Sequence, residues 1–190
     1  STTCTTPCTL EDGWSNINTS TWRTWTGSRP STGTGPIFDH TSGSGKWLYI
    51  ETSTACPDRI AETPLYDISS LNAGNGAEVS VWYHMWDDAT GDMGTFSVAV
   101  EDVTNAPGVY NTIFTETGDQ GDVWNHTGWL NLDAFPGPVV RFRITGTNTL
   151  TFQGDMAMDD FCVREQLPCV PVVATGTDVS DCATNTFSVN

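Results

Sequence analysis

The chain has 190 residues, of which 37% are hydrophobic and 11% aromatic; this is enough apolar side chain for one domain core and too much for a chain disordered throughout. Seven Lys or Arg against 23 Asp or Glu leave a formal charge of −16, which repels nucleic-acid phosphates and anionic membranes, so no nucleic-acid partner is expected. No apolar run approaches the ~20 residues needed to cross a bilayer, so no membrane insertion is expected.

The chain opens Ser1-Thr2-Thr3-Cys4 without a leader pattern, as expected of a mature or trimmed form. Its cysteines are Cys4, Cys8, Cys56, Cys162, Cys169 and Cys182. An even count without paired Cys or His spacing predicts disulfides formed in an oxidising, extracellular compartment, and not zinc. The expectation is that all six are oxidised. Asn18-Thr19-Ser20 and Asn125-His126-Thr127 are acceptor sequons, which makes Asn18 and Asn125 the glycosylation candidates.

Taken in order, the chain shows short runs of Val, Ile, Thr, Trp and Tyr between Gly, Asn and Asp clusters, and no apolar stripe at helical spacing. Five strands are predicted clearly: 46–52, 77–85, 94–101, 138–146 and 155–164. Weaker ones fall at 21–26, 59–65, 110–117 and 123–132. Val79, Val81 and Tyr83 share one face of their strand; so do Phe96, Val98 and Val100, and Val140, Phe142 and Ile144. Arg141 and Arg143 alternate with the last set, which gives that strand one wet side, as an antiparallel sheet allows. Two such sheets packed face to face bury their apolar faces in a β-sandwich or barrel. The segment 87–92, DDATGD, reads as a hairpin between the strands at 77–85 and 94–101.

After Arg164 the composition changes. Residues 165–190 read as a Pro- and Gly-punctuated tail or linker in which Cys169 and Cys182 close a loop. The β-forming stretch 186–189 has no obvious partner strand in the domain. The expected reading is a short disulfide-stapled linker that packs on its own domain or stays mobile, the alternative being docking on a neighbouring module or subunit by strand addition.

Catalytic patterns are lacking. No G-x-S-x-G occurs, the Asp39-His40 pair reads as a structural turn, and the many carboxylates cannot be ranked as glycosidase pairs. Metal binding has a physical motive in 155–163, DMAMDDFCV. Regular alternation puts Met156, Met158 and Asp160 on one face and Ala157, Asp159, Phe161 and Val163 on the other, so one Asp shares a face with apolar neighbours. A buried carboxylate there calls for a partner or an ion, unless a bulge or sheet edge lets both reach water. The eight Trp offer core packing or a platform for glycans.

Several blocks in order carry a family resemblance: GTGPIFDHTSGSGKWLYIET at 33–52, VWYHMW at 81–86, GTFSV at 94–98, GDQGDVW at 118–124 and GDMAMDDF at 154–161. Together they resemble the MAM domain of meprins, neuropilins, receptor tyrosine phosphatases and secreted bacterial proteins, over about residues 9–164. The disulfide-containing C-terminal tail at 165–190, set apart by composition, lies outside the resemblance. The resemblance implies an all-β, jelly-roll-like antiparallel β-sandwich at 1–164. It implies a non-catalytic extracellular module, secreted or on a cell surface, that serves adhesion through a protein partner or self-association. It also implies a structural cation, Ca²⁺ or Na⁺, held by Glu11, Asp39, Asp159 and Asp160. The alternatives are a carbohydrate-binding module of a secreted enzyme, with a glycan as partner, and a structural subunit of an extracellular filament or surface layer. The cysteine that often precedes the Trp-Tyr-His strand of the family is absent here, so family pairings do not transfer. Cys169 with Cys182, and Cys4 or Cys8 with Cys162, are the preferred pairs.

Overall fold

The computed structural model describes residues 10, 12–19, 21–53, 56–88, 91–147 and 149–167, together with the backbone of 179–181 and 186–188. The described strands are β1 (Ser15–Asn16), β2 (Arg23–Thr26), β3 (Lys46–Tyr49), β4 (Arg59–Glu62), β5 (Tyr66–Asp67), β6 (Ala77–Met85), β7 (Thr95–Asp102), β8 (Tyr110–Thr117), β9 (Asn125–His126), β10 (Leu130–Asn131), β11 (Val139–Gly146), β12 (Met156–Glu165), β13 (Val179–Asp181) and β14 (Thr186–Ser188). One α-turn, Ser69–Asn72, and one 3₁₀ turn, Phe152–Gly154, are the described helical pieces.

Two antiparallel sheets form the sandwich. Sheet A runs β1-β4-β11-β7-β8, with β5 also on β11, and sheet B runs β10-β6-β12-β3-β2, with β9 also on β6. All nine predicted strands exist. The span expected at 123–132 is broken into β9 and β10, both laid against β6, with Gly128 between them at a left-handed φ of 73°.

The three predicted apolar faces meet in the core. Val79, Val81 and Tyr83 of sheet B face Phe96, Val98, Val100, Val140, Phe142 and Ile144 of sheet A, all at 5% exposure or less. Tyr83 stacks on Phe96 across the two sheets at 5.5 Å, and Phe161 meets Phe142 at 5.2 Å. That pairing overturns the expected hairpin at 87–92. β6 and β7 lie in different sheets, so the segment crosses from one sheet to the other. The reason is that both strands carry an apolar face, and stacking face to face buries both, where side-by-side pairing would leave them needing another cover. Asp87 holds the crossing, its carboxylate accepting from the backbone N–H groups of Gly91 at 3.3 Å and Met93 at 3.1 Å.

On the outer face of sheet A, the wet strand face predicted for β11 holds an ion-pair ladder. Arg141 binds Glu101 at 2.7 Å and Glu62 at 3.2 Å, and Arg143 binds Glu62 at 2.6 Å. Tyr110 donates to Glu62 at 2.6 Å and lies under the Arg143 guanidinium at 3.6 Å.

β12 resolves the two-aspartate problem by a bulge. Asp159 pairs with Trp82 and Cys162 with Ser80, so one extra residue sits on β12, and Asp160 takes φ 47°. Before the bulge Met156 and Met158 face the core; after it, Phe161 and Val163 pack on the core instead of lying opposite to it. Cys162 is thereby turned outward, opposite Ser80, with an exposed free thiol. The expectation of six oxidised cysteines, and of a Cys4 or Cys8 bridge to Cys162, is corrected accordingly. Cys56 is disulfide-bonded; Cys4, Cys8, Cys169 and Cys182 lie outside the described residues. In the tail, β14 pairs antiparallel with β13, so residues 186–188 have a partner strand within the tail itself, contrary to the expectation that they lack one. We expect thiol titration of the native chain to label Cys162, and Cys162→Ser to remove that label. A native protein with no reactive thiol would contradict the register of β12.

A buried polar cluster closes one end of the sandwich. Asp155 accepts from the Thr52 N–H at 2.8 Å, while its second oxygen has no partner. Burial, reinforced by the neighbouring Glu51 carboxylate, pushes the Asp155 carboxyl up to about 8. A carboxyl raised in this way adds stability that is full below its unfolded value near 4 and is lost as pH climbs toward 8. Asp155→Asn keeps the acceptor and removes the titration. Between those limits the wild type should lose stability relative to the variant by up to about 1.4 kcal/mol per pH unit. Thermal melts of both proteins across the range check this, and parallel curves would refute it.

Candidate interaction surface

The bulge also shapes the outer face of sheet B. The loop before β3 is pinned there. Asp39 closes a turn on itself, accepting from Ser42 N–H at 2.8 Å, Ser42 Oγ at 2.9 Å and Gly45 N–H at 2.6 Å. A Cβ on Gly45 would come within 2.8 Å of that carboxylate, so the turn requires glycine. Burial opposes ionisation of Asp39, but the Ser42 and Gly45 hydrogen bonds outweigh it and hold the carboxyl below its ordinary range. Asp159 and Asp160 then hold the next two residues. Asp159 accepts from the His40 N–H at 2.9 Å, and Asp160 meets His40 Nδ1 at 2.7 Å and the Thr41 hydroxyl. Burial pushes the Asp159 carboxyl up, and the charges of Asp160 and Asp39 add to the shift, against the hydrogen bonds from the His40 and Asp160 N–H groups.

Held this way, the His40 ring stacks on Trp82 at 3.7 Å. A row of rings follows: Trp82 to His126 at 4.8 Å and His126 to Trp129 at 5.9 Å, with the Arg164 guanidinium over Trp129 at 3.4 Å and its Nε on Glu78 at 2.7 Å. Beside the row, Trp47, Tyr49 and Ala157 form a second buried cluster packed by Trp25 and Trp124. The Trp124 indole donates to the Phe38 carbonyl at 3.1 Å, which ties the 118–124 loop to the 36–45 loop.

Between those loops lies a cavity of about 280 Å³ lined by Pro36, Ile37, Phe38, His84, Asp122, Val123 and Trp124. Its rim is apolar and open: Ile37 is 50% exposed, Phe38 46% and Val123 56%. Buried His84 faces the Asp122 carboxylate at 3.3 Å through Nε2, and Arg29 reaches the same carboxylate at 3.3 Å. Burial drives the His84 pKa down to about 4, outweighing Asp122, so the ring is neutral near pH 7.

Of the expected cation ligands, Asp39, Asp159 and Asp160 come together around His40, while Glu11 lies outside the described residues. Among the described residues no three His, Cys, Asp or Glu side chains form a group able to hold a metal. Leu10 and Asp12, the chain neighbours of Glu11, line one cavity with Asp159 and Asp160. Both sequon asparagines use their amides: Asn18 Nδ2 donates to the Asp58 carbonyl at 2.6 Å, and Asn125 Nδ2 to the Val123 carbonyl at 3.2 Å. Trp22 and Trp47 are core residues, whereas Trp129 is 36% exposed. The reading of Asp39-His40 as a structural turn agrees with its contacts. His84, Asp122 and Trp124 were not singled out as site residues. Alternation along VSVWYHM places Trp82 and His84 opposite the Val79, Val81 and Tyr83 face, and that signal marks them as outward.

Comparison with known proteins agrees with this architecture. The chain is 28% identical over 105 residues to Neuropilin-1a of Danio rerio, covering 54% of the chain and 11% of that protein. It is 28% identical over 110 residues to MAM domain-containing protein 2 of Homo sapiens, covering 56% and 15%. It is 25% identical over 165 residues to Thyroid hormone-induced protein B of Xenopus laevis, covering 85% and 22%. The chain thus spans less than a quarter of the length of these curated relatives. In fold it is similar to the K1 cleaved adhesin domain of Lys-gingipain from Porphyromonas gingivalis W83, with TM-score 0.52 and 16% identity over 83% of this chain and 93% of that one. The family model of the MAM domain, meprin/A5/mu, matches residues 6–170, so the chain belongs to the MAM domain family.

Proposed function

We propose that this MAM domain is a non-catalytic extracellular module that binds a partner protein, or a second copy of itself, through the outer face of sheet B. The observation that carries the reading is the concentration of rings and open apolar side chains there, in a chain of charge −16: the row from His40 to Trp129, and the Ile37, Phe38 and Val123 rim. Such patches on an otherwise polar surface mark interaction sites, and buried aromatic anchors supply most of the affinity of an interface. The chemistry supports binding over catalysis. His84 has a pKa of about 4, too low for a general base near neutral pH, and the His40–Asp160 pair is engaged in holding its loop.

Beads coated with the chain test this, by their own aggregation and by retention on cells. Ile37→Asp and Trp129→Ala should each abolish adhesion while leaving the melting temperature within a few degrees. Val109→Asp, exposed outside this face, should leave adhesion intact. Adhesion that survives both face variants would move the binding site elsewhere. A glycan reading is favoured by one feature, the partly open Trp129 ring, and selective retention on a glycan array would establish it.

We further propose that Asp159 and Asp160, with Glu11, hold a structural Ca²⁺ or Na⁺. Support comes from Asp159 and Asp160 lining one cavity with Leu10 and Asp12, the chain neighbours of Glu11, and from the Asp159 carboxyl, raised by burial and then by the charges of Asp160 and Asp39, which a cation would relieve. An ion bound only by the folded state stabilises it by about 2.7 kcal/mol at a hundredfold excess over Kd. Chelator should therefore lower the melting temperature and Ca²⁺ restore it, with Asp159→Asn insensitive to both. A melting curve indifferent to chelator, Ca²⁺ and Na⁺ would dismiss the site.

A further inference from the structure

Three of the six arginines share one setting, between an aromatic ring and a carboxylate. Arg143 lies 3.6 Å over Tyr110 and binds Glu62 at 2.6 Å. Arg164 lies 3.4 Å over Trp129 and binds Glu78 at 2.7 Å. Arg29 lies 4.6 Å over Trp86 and binds Asp122 at 3.3 Å. In each, the ring stacks against the planar guanidinium and the carboxylate accepts its N–H groups.

The cavity between the two loops sets rings beside the solvent-facing side of the carboxylate that holds Arg29. Asp122, with its side chain 46% exposed, sits among Phe38, Trp124 and the aliphatic rim of Ile37 and Val123. The Trp124 indole N–H of its lining is spent on the Phe38 carbonyl. Asp122 accepts from His84 Nε2 at 3.3 Å and from Arg29 at 3.3 Å, and the exposed part of its carboxylate is left to accept from a ligand. A cavity walled by apolar and aromatic groups and provided with acceptors selects a hydrogen-bond donor carried on an apolar stem. The charge of −16 draws basic partners toward it at long range.

We propose that this cavity binds the guanidinium of an arginine on a partner protein, its stem against Ile37 and Val123 and its head between Phe38 or Trp124 and Asp122. The inference rests on the interaction reading above and gives the partner its chemistry: an arginine presented on a basic surface.

The probe is N-acetyl-arginine amide, titrated into the whole chain while the Trp124 indole N–H and the Ile37 and Val123 methyl signals are followed by NMR. Saturable shifts confined to these groups are expected, weakening with salt. N-acetyl-citrulline amide, which keeps the shape and loses the charge, should bind about tenfold more weakly or worse. Asp122→Asn should cost a similar factor. Because that change also releases Arg29, Val123→Ser, at a 56% exposed rim position, serves as the second variant and should weaken binding without altering the melting curve. Equal binding of citrulline, no saturable shift, or affinity unchanged in both variants would overturn the proposal. If the cavity takes no arginine while Ile37→Asp and Trp129→Ala still abolish bead adhesion, the interaction reading stands and this inference alone falls.

Discussion

One extra residue in one strand organises this molecule. β12 lies between β6 and β3, and Asp160, in a left-handed conformation, shifts its phase by one residue. Without the shift, Phe161 and Val163 would leave the core and Asp160 would enter it. A buried unpaired carboxylate costs several kcal/mol, and two misplaced apolar side chains add to that. With the shift, both aspartates reach the outer side, where they take up the His40 N–H, the His40 ring and the Thr41 hydroxyl. The loop that carries His40 then lies across sheet B and presents a ring to Trp82. Core packing and the outer surface are two consequences of the same bulge.

The two outer faces use charge in opposite ways. On sheet A, Arg141 and Arg143 are consumed by Glu62 and Glu101, which are nearly buried, and the face is closed by its own ladder. On sheet B, Arg164 and Arg29 are likewise paired, but they frame rings and open apolar side chains. A basic residue already held by a carboxylate adds little to the far field, so the surface seen from a distance is acidic, and short-range attraction is concentrated where the rings are.

Most of the fold is legible in the sequence, because its faces alternate regularly: 77–85 and 110–117 coincide with β6 and β8 to the residue. Legibility fails where one residue breaks a period or where sheets exchange partners. Alternation through DMAMDDFCV cannot reveal which aspartate adopts a positive φ, and so it mistakes the direction of Cys162. A turn-rich segment such as 87–92 looks the same whether it joins neighbours in one sheet or crosses to the other; long-range packing decides. The site is half legible for the same reason. Asp159 and Asp160 stand out by alternation and Asp39 by the family resemblance, but the cavity is assembled from three distant segments, 36–38, 84 and 122–124, of which only the outward side of His84 has a local signal.

The acidity of the chain has a structural reason that composition conceals. Read as composition, 23 acidic residues suggest a solvated coat or ion ligands. Many act instead as staples that satisfy backbone N–H groups in turns. Asp39 serves Ser42 and Gly45, Asp67 serves Ser69 at 2.9 Å, Asp102 serves Asn105 at 2.9 Å and Gly137 at 2.9 Å, and Asp119 serves Gly121 at 2.9 Å. An aspartate that accepts from the backbone a few residues on fixes a loop without any regular structure. Two of these staples, at Asp39 and Asp119, lie in the loops that border the cavity and the ring row. A loop ordered before encounter loses little entropy on binding, so the affinity of a modest apolar patch is not spent on arranging it. A mainly β chain can thus present a shaped surface from its loops, and its carboxylates are what make those loops rigid enough to do so.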